Sequence, residues 1–200
     1  MAKLKLTKNE QKKQKDSLKR FERYLPTLML KKQQLQAEIR TVDIKVNELR
    51  HNKEQLTENL NRWIAVFGEE GVFTSDILRI SKMVTEEGNV AGVAIPVFKQ
   101  GEFDTASYDL IEKPLWVDHA VETIKKVIIL DMEIKCMEEQ QRSLRKELQT
   151  TSQRVNLFEK IKIPEAKVNI KKIGIYLGDQ QTAAVVRGKI SKKGIERASL

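Results

Sequence analysis

Residues 18–67 read LKRFERYLPTLMLKKQQLQAEIRTVDIKVNELRHNKEQLTENLNRWIAVF. Steps of three and four from Leu18 reach Phe21, Leu25, Leu28, Lys32, Leu35, Ile39, Val42, Val46, Leu49, Lys53, Leu56, Leu60, Trp63 and Phe67. Thirteen of these fifteen positions are apolar. A 3.5-residue period held this long is the seam of a coiled coil, because an under-wound helix keeps such a stripe turned toward one partner. At 1.5 Å per residue the run spans roughly 75 Å, too long for a surface helix of a compact domain. Pro26 removes one backbone donor and its ring presses on the Glu22 carbonyl, so a local kink is expected over 22–26. Phe67-Gly68 ends the run, with Gly68 or Gly71 available for a left-handed cap.

A matching run lies in the second half of the chain. Ala120, Thr123, Val127, Leu130, Ile134, Met137, Gln141, Leu144, Leu148, Thr151, Val155 and Phe158 keep the same spacing, and nine of the twelve are apolar. Pro114, ahead of Leu115-Trp116-Val117, marks the first turn. Val117, Val121, Ile124 and Ile128 form a second apolar face, against which the middle segment is expected to pack. Pro164 should bend or break this helix. Residues 165–200, with Gly174, Gly178 and Gly188 among Val168, Ile175 and Val186, read as helical but frayed toward Leu200.

Between the runs the pattern changes. Ile77 to Thr85 is rich in β-branched and aliphatic residues, Glu86-Glu87-Gly88-Asn89 reads as a turn, and Val90 to Phe98 reads as a second strand. Pro96 confines that strand to an edge or to its own end. A lone hairpin is marginal in water, so it must lean on the neighbouring helices.

The expected fold is therefore mainly α: a long antiparallel two-helix coiled coil with a small β-hairpin insert. Residues 1–67 supply the first helix, 68–113 the insert and 114–200 the second helix, irregular toward its end. Folding the runs back on each other pairs positions whose numbers add to about 184. Lys53 then faces Asp131, and Lys32 faces Thr151. A lysine in the seam opposite an aspartate would pin the register.

Composition narrows the function. The net charge is +9, charged residues make up 32% of the chain and aromatics 6%, which suits solvent-washed helices with a narrow buried stripe. The charge is uneven, with +6 over residues 1–20 and +7 over residues 160–200, so the middle carries −4. One cysteine, Cys136, gives no disulfide framework and no Cys-based zinc site, and His51 and His119 stand far apart, so no metal is expected. No phosphate-binding loop, dinucleotide fingerprint or nucleophile elbow occurs, so neither a cofactor nor a catalytic residue is expected. No apolar run is long enough to span a bilayer, and the polar start offers no signal-peptide core, so the expected location is the cytoplasm. Basic ends on helices leave two binding readings: nucleic acid, which the few interleaved aromatics disfavour, and an acidic protein surface. A structural scaffold or tether is a further alternative.

Three elements carry a family resemblance. Thr7-Lys8 is followed at fixed distances by Leu18, Leu28, Lys31 and Leu35. Arg154-Val155-Asn156-Leu157-Phe158-Glu159 leads to Ile163-Pro164, and Pro114-Leu115-Trp116-Val117-Asp118 opens the second long helix. Together they resemble the D subunits of the vacuolar/archaeal-type rotary ATPases and ATP synthases, the central-stalk family. The Arg-Val-Asn element is the most specific of the three. Tyr24, where many members have glycine, Pro26, and the stretch beyond Gly178 depart from the family pattern.

The resemblance implies a rotor shaft with no catalytic residue or cofactor of its own. Its implied partners are the catalytic A and B subunits, the F subunit alongside, and the C (or d) subunit toward the membrane ring. It implies a position in the cytoplasm, peripheral to the inner membrane, with no direct contact to nucleic acid and no insertion into the bilayer. Under this reading Lys12, Lys13, Lys15, Lys19, Lys171, Lys172 and Arg187 are expected to be drawn to acidic walls of the catalytic head.

Overall fold

The structure, a computed structural model, describes residues 4–62, 77–105 and 116–198. Its elements are helix α1 (Lys8–Asn61), strands β1 (Leu78–Val90) and β2 (Val93–Thr105), helix α2 (Trp116–Asn156), a π-helical stretch (Leu157–Lys162) and helix α3 (Ile163–Ala198). Two long helical segments around an antiparallel hairpin match the expected fold class. Trp63, Phe67, Gly68, Gly71, Pro114 and Leu115 lie outside the described residues. Two compact units form, one from residues 32–150 and the other from the two ends of the chain.

In the unit of residues 32–150, α1 and α2 run antiparallel. Lys53 meets Asp131 and Asp43 meets Gln141, partners whose numbers add to 184; Arg50 meets Glu138 and Asp43 meets Arg145, one helical turn along. Leu35, Ile39, Val42 and Val46 from α1, Leu144 from α2 and Ile95 from β2 make one buried cluster, with Met137, Leu148, Val90 and Val93 against it. The 3-4 spacing puts the helical members of this cluster on facing stripes, and their burial supplies the main stabilisation. Ile77 packs on Val117, Val121 and Trp116, so the residue leading into β1 covers the opening part of the second apolar face of α2.

The hairpin turn differs from the sequence reading. β1 continues through Gly88-Asn89, and the turn is Ala91-Gly92. Both turn residues have positive φ, 51° and 78°, the type I′ arrangement that matches the twist of the strands. The Gly92 N–H donates to Asn89 Oδ1 at 3.0 Å, so the asparagine braces the turn from the strand. Gly88 answers a packing demand instead: a Cβ there would meet Val97 Cγ2 at 2.8 Å. The strands are also longer than expected, and the register slips between Ile80 and Lys82 and between Val84 and Thr85. Pro96 pairs with Glu87 in a two-stranded sheet, where each strand is an edge and tolerates a missing donor. The Pro96 carbonyl turns to α2 and accepts from Gln140 Nε2 at 2.5 Å and from Cys136 Sγ at 3.4 Å.

In the unit formed by the two ends, the opening part of α1 pairs with the π stretch and with α3. Phe21 and Phe158 stack with ring centroids 5.1 Å apart, Glu22 pairs with Lys167, and a Cβ on Gly174 would stand 3.3 Å from the Gln11 side chain. Numbers falling on α1 while rising on α3 again mean antiparallel helices. Thr7 caps α1: its Oγ1 accepts the Glu10 N–H at 3.3 Å. α1 runs helical through Pro26. α3 holds helical geometry to Ala198, with Gly174, Gly178 and Gly188 inside it.

Pro164 neither ends nor breaks the helical chain. The π stretch precedes it, and the Ile163 N–H reaches back five residues to the Phe158 carbonyl. A π turn holds one residue more than an α turn, and that residue shifts the seam. Extended from Phe158, the 3-4 repeat would reach Lys162, Glu165, Asn169 and Lys172. Advanced by one, it reaches Ile163, Ala166, Ile170, Ile173 and Leu177. Ala166 and Ile173 are buried and the other three half-buried.

Candidate functional site

The functional surface is built from the helix pairs and what they leave outside. Every described position of the expected seam is turned from solvent. Leu18, Phe21, Leu25, Leu28, Leu49, Leu56 and Leu60 are half-buried, as are Val127, Leu130, Met137, Leu148 and Phe158. Leu35, Ile39, Val42, Val46, Ile134, Leu144 and Val155 are buried. Trp63 lies outside the described residues. The seam of α3 was missed because the π stretch displaces it; its signal in the sequence is the run Ile163, Ala166, Ile170, Ile173, Leu177.

The 32–150 unit carries charge along one flank of its helix pair. Arg50 Nη2 and Glu138 Oε1 lie 2.6 Å apart, as do Lys53 Nζ and Asp131 Oδ1. Asp43 accepts from Gln141 and Arg145. A charged groove of 630 Å³ opens between Arg50, Lys53, Glu54, Asp131, Lys135 and Glu138. All of these ion pairs are part-exposed, so each holds register more than it adds stability.

The unit of the chain ends has two unlike outer sides. Lys12, Lys13, Lys15 and Lys19 are exposed on α1, together with Arg20 and Arg23. Lys171, Lys172 and Arg187 are exposed on α3. α3 also shows large aliphatic side chains to solvent, among them Val168, Ile175, Val186 and Ile190.

Among the described residues there is no cluster of three or more His, Cys, Asp or Glu side chains suited to a metal ion. Cys136 is 1% exposed, and burial pushes its thiol pKa up, the reverse of an activated nucleophile. No described helix is long and apolar enough to cross a membrane.

The family model for the ATP synthase D subunit matches residues 10–193 of the chain. The chain belongs to the ATP synthase D-subunit family. Among curated relatives, the V-type ATP synthase D subunit of Borreliella burgdorferi is 52% identical over 195 residues, covering 98% of this chain and 96% of its own length. The proteins of the same name from Chlamydia abortus and Chlamydia muridarum are 35% and 33% identical; each alignment covers 97% of this chain and 94% and 97% of theirs. The family match also spans the π stretch and most of α3, including the part beyond Gly178 where the sequence alone showed little family pattern.

Proposed function

We infer that this chain is the central-stalk rotor subunit of a V/A-type ATP synthase. It couples ATP synthesis or hydrolysis in a catalytic head of A and B subunits to ion translocation through a membrane ring. The observation that carries this reading is the full-length match to relatives named as V-type ATP synthase D subunits. The geometry agrees with it: paired antiparallel helices resist twisting, since torsion would unseat buried side chains from the holes they fill.

The chain works without catalytic residues or a cofactor of its own. ATP is bound and turned over on the A and B subunits, while this subunit presents different sides to them as it turns. A contact that is better in one state of a catalytic site than in another biases that site, and by reciprocity the closing site drives the shaft. The exposed Lys12, Lys13, Lys15, Lys19, Lys171, Lys172 and Arg187 attract acidic walls of the head at long range. The F subunit binds alongside, and the C (or d) subunit joins the shaft to the ring. The shaft lies on the cytoplasmic side, peripheral to the inner membrane. The comparisons give the nucleic-acid alternative no support.

Reconstitution with the A, B and F subunits tests the reading. Rotation of a probe fixed to this chain during ATP hydrolysis is the expected result. A head that hydrolyses ATP while the added chain neither binds nor turns would overturn it.

A further inference from the structure

The two helices of the chain-end unit are unevenly matched. Back from Leu18 the seam side of α1 turns polar: Glu10, Gln11, Gln14 and Ser17 are half-buried. Gln11 stands against Gly174, while Gln14 and Ser17 line a cavity shared with α3. α3 meets this stretch with apolar residues. Ile173, next to Gly174, is fully buried, and Ala166 is buried one level nearer Phe21. The Gln14 amide donates to Glu10 Oε1 at 3.0 Å, within α1.

A second line runs along α3 one residue behind the seam. Lys162, Glu165, Asn169 and Lys172 stand about 100° around the helix from Ile163, Ala166, Ile170 and Ile173. They are the residues that an unbroken 3-4 repeat from Phe158 turns toward α1. Three of them already border it: Lys162, Glu165 and Asn169 line the 220 Å³ cavity with Gln14, Ser17 and Phe21. The antiparallel pairing that sets Gln11 against Gly174 brings Asn169 level with Gln14, and Lys172 level with Glu10, its opposite in charge. Over residues 10–17, α1 therefore carries partners for the polar line, and the cavity leaves room for that line to enter.

We propose that the π stretch of Leu157–Lys162 is a two-position joint. Releasing its extra residue into α-helix turns α3 by about 100° about its own axis and exchanges the apolar seam for the polar one. The helix stays continuous in both positions. The apolar position dominates, because it keeps Ala166 and Ile173 buried. The polar position is the minor state, kept within reach by the hydrogen bonds and the ion pair it gains. In a rotor shaft, torque along α3 would shift the balance between these positions, so the shaft yields in a discrete step. That consequence rests on the function inferred above; the joint itself does not.

Cysteine pairs in the full chain, with Cys136→Ala as background, read the two positions. Gln11→Cys with Gly174→Cys reports the apolar one. Gln11→Cys with Lys172→Cys reports the polar one, because positions 172 and 174 lie on opposite sides of α3. Both disulfides are expected under mild oxidation, the second at least about tenfold more slowly, as befits a minor state. Deleting Lys160 removes the residue that the wide turn holds and puts Ile163 into the unbroken repeat. That chain keeps the apolar seam in plain α-helix and has no second position. There the bond between 11 and 174 should form as before, and the bond between 11 and 172 at least a further tenfold more slowly, roughly. Circular dichroism checks that each chain keeps its helices. A bond between 11 and 172 that never forms in the chain with Lys160 would overturn the joint. So would one that forms equally fast without Lys160, which is the mark of fraying. Neither result touches the shaft reading, which reconstitution with the catalytic head judges separately.

Discussion

Lys53 Nζ stands 2.6 Å from Asp131 Oδ1, joining a seam position of α1 to α2 across the helix pair of residues 32–150. The side chains are 36% and 41% exposed, so water and salt screen the pair and its worth lies mainly in fixing which turn faces which. A double-mutant cycle with Lys53→Ala and Asp131→Ala is expected to give a coupling of about 0.5 kcal/mol that shrinks in 1 M salt. The exchanged pair, Lys53→Asp with Asp131→Lys, should recover stability lost by either reversal alone. Urea unfolding of the four chains measures both.

The core itself is apolar. Leu144 is fully buried in the cluster of Leu35, Ile39, Val42, Val46 and Ile95. Leu144→Ala should cost about 2–5 kcal/mol, the range for a large-to-small change that leaves a partly relaxed cavity. Leu30, on the same helix as Leu35 but 55% exposed, should cost under about 0.5 kcal/mol on the same change. Equal losses in chemical denaturation would contradict the assigned stripe.

How much of this was legible without coordinates depends on what each signal demands. The 3-4 seam was readable because it repeats over many turns, and one partner geometry satisfies all of it. The facing of Lys53 and Asp131 followed from the antiparallel fold-back alone. The hairpin turn was misplaced because Gly88-Asn89 has the strongest local turn chemistry, yet tertiary contact decides its use. Gly88 makes room for Val97, and Asn89 reaches forward to hold Gly92. The seam of α3 was hidden by one extra residue. A strict repeat slides onto Lys162 and Glu165, and only the wide turn before Pro164 returns it to Ile163 and Ala166. The exposed aliphatic residues of α3 were present in the sequence, but without burial they could not be separated from a loosely patterned helix.

The turn makes its own prediction. Gly92 has φ +78°, a conformation that costs an L side chain roughly 1–2 kcal/mol, and there is open space where its Cβ would stand. Gly92→Ala should therefore destabilise the hairpin by about 1 kcal/mol through backbone strain alone. Gly88→Ala should act through its clash with Val97, and Val97→Ala should relieve it. Amide exchange across β1 and β2 distinguishes the two origins, because only the Gly88 effect responds to Val97.

Cys136 gives a chemical readout of how the hairpin docks on α2. Its thiol is 1% exposed and donates to the Pro96 carbonyl, and burial disfavours the thiolate, so its pKa is raised. At pH 8 the folded chain should react with an aromatic disulfide reagent far more slowly than the unfolded chain. The sign for stability follows. The stabilising contribution is whole below the unfolded thiol pKa, about 8.5, and is lost as pH rises toward the higher folded value. Stability should thus fall from pH 8 toward pH 10, and Cys136→Ala should remove that component of the slope.

The π stretch separates two causes that the sequence confounds. If Pro164 forces the wide turn, Pro164→Ala should collapse it into regular α-helix. If the seam forces it, the wide turn should survive the substitution. Collapse would carry Lys162, Glu165 and Lys172 toward α1 and take Ile163, Ala166 and Ile173 out of the interface. Losing two buried side chains of that kind costs several kcal/mol, more than a regular hydrogen-bond pattern returns. The expected outcome for Pro164→Ala is therefore a stability change within about 1 kcal/mol. The Ile163 N–H should remain bonded to the Phe158 carbonyl, read by amide exchange and by chemical shifts over Leu157–Lys162. An α-helical shift pattern there, with exposure of Ile173, would assign the turn to the proline instead.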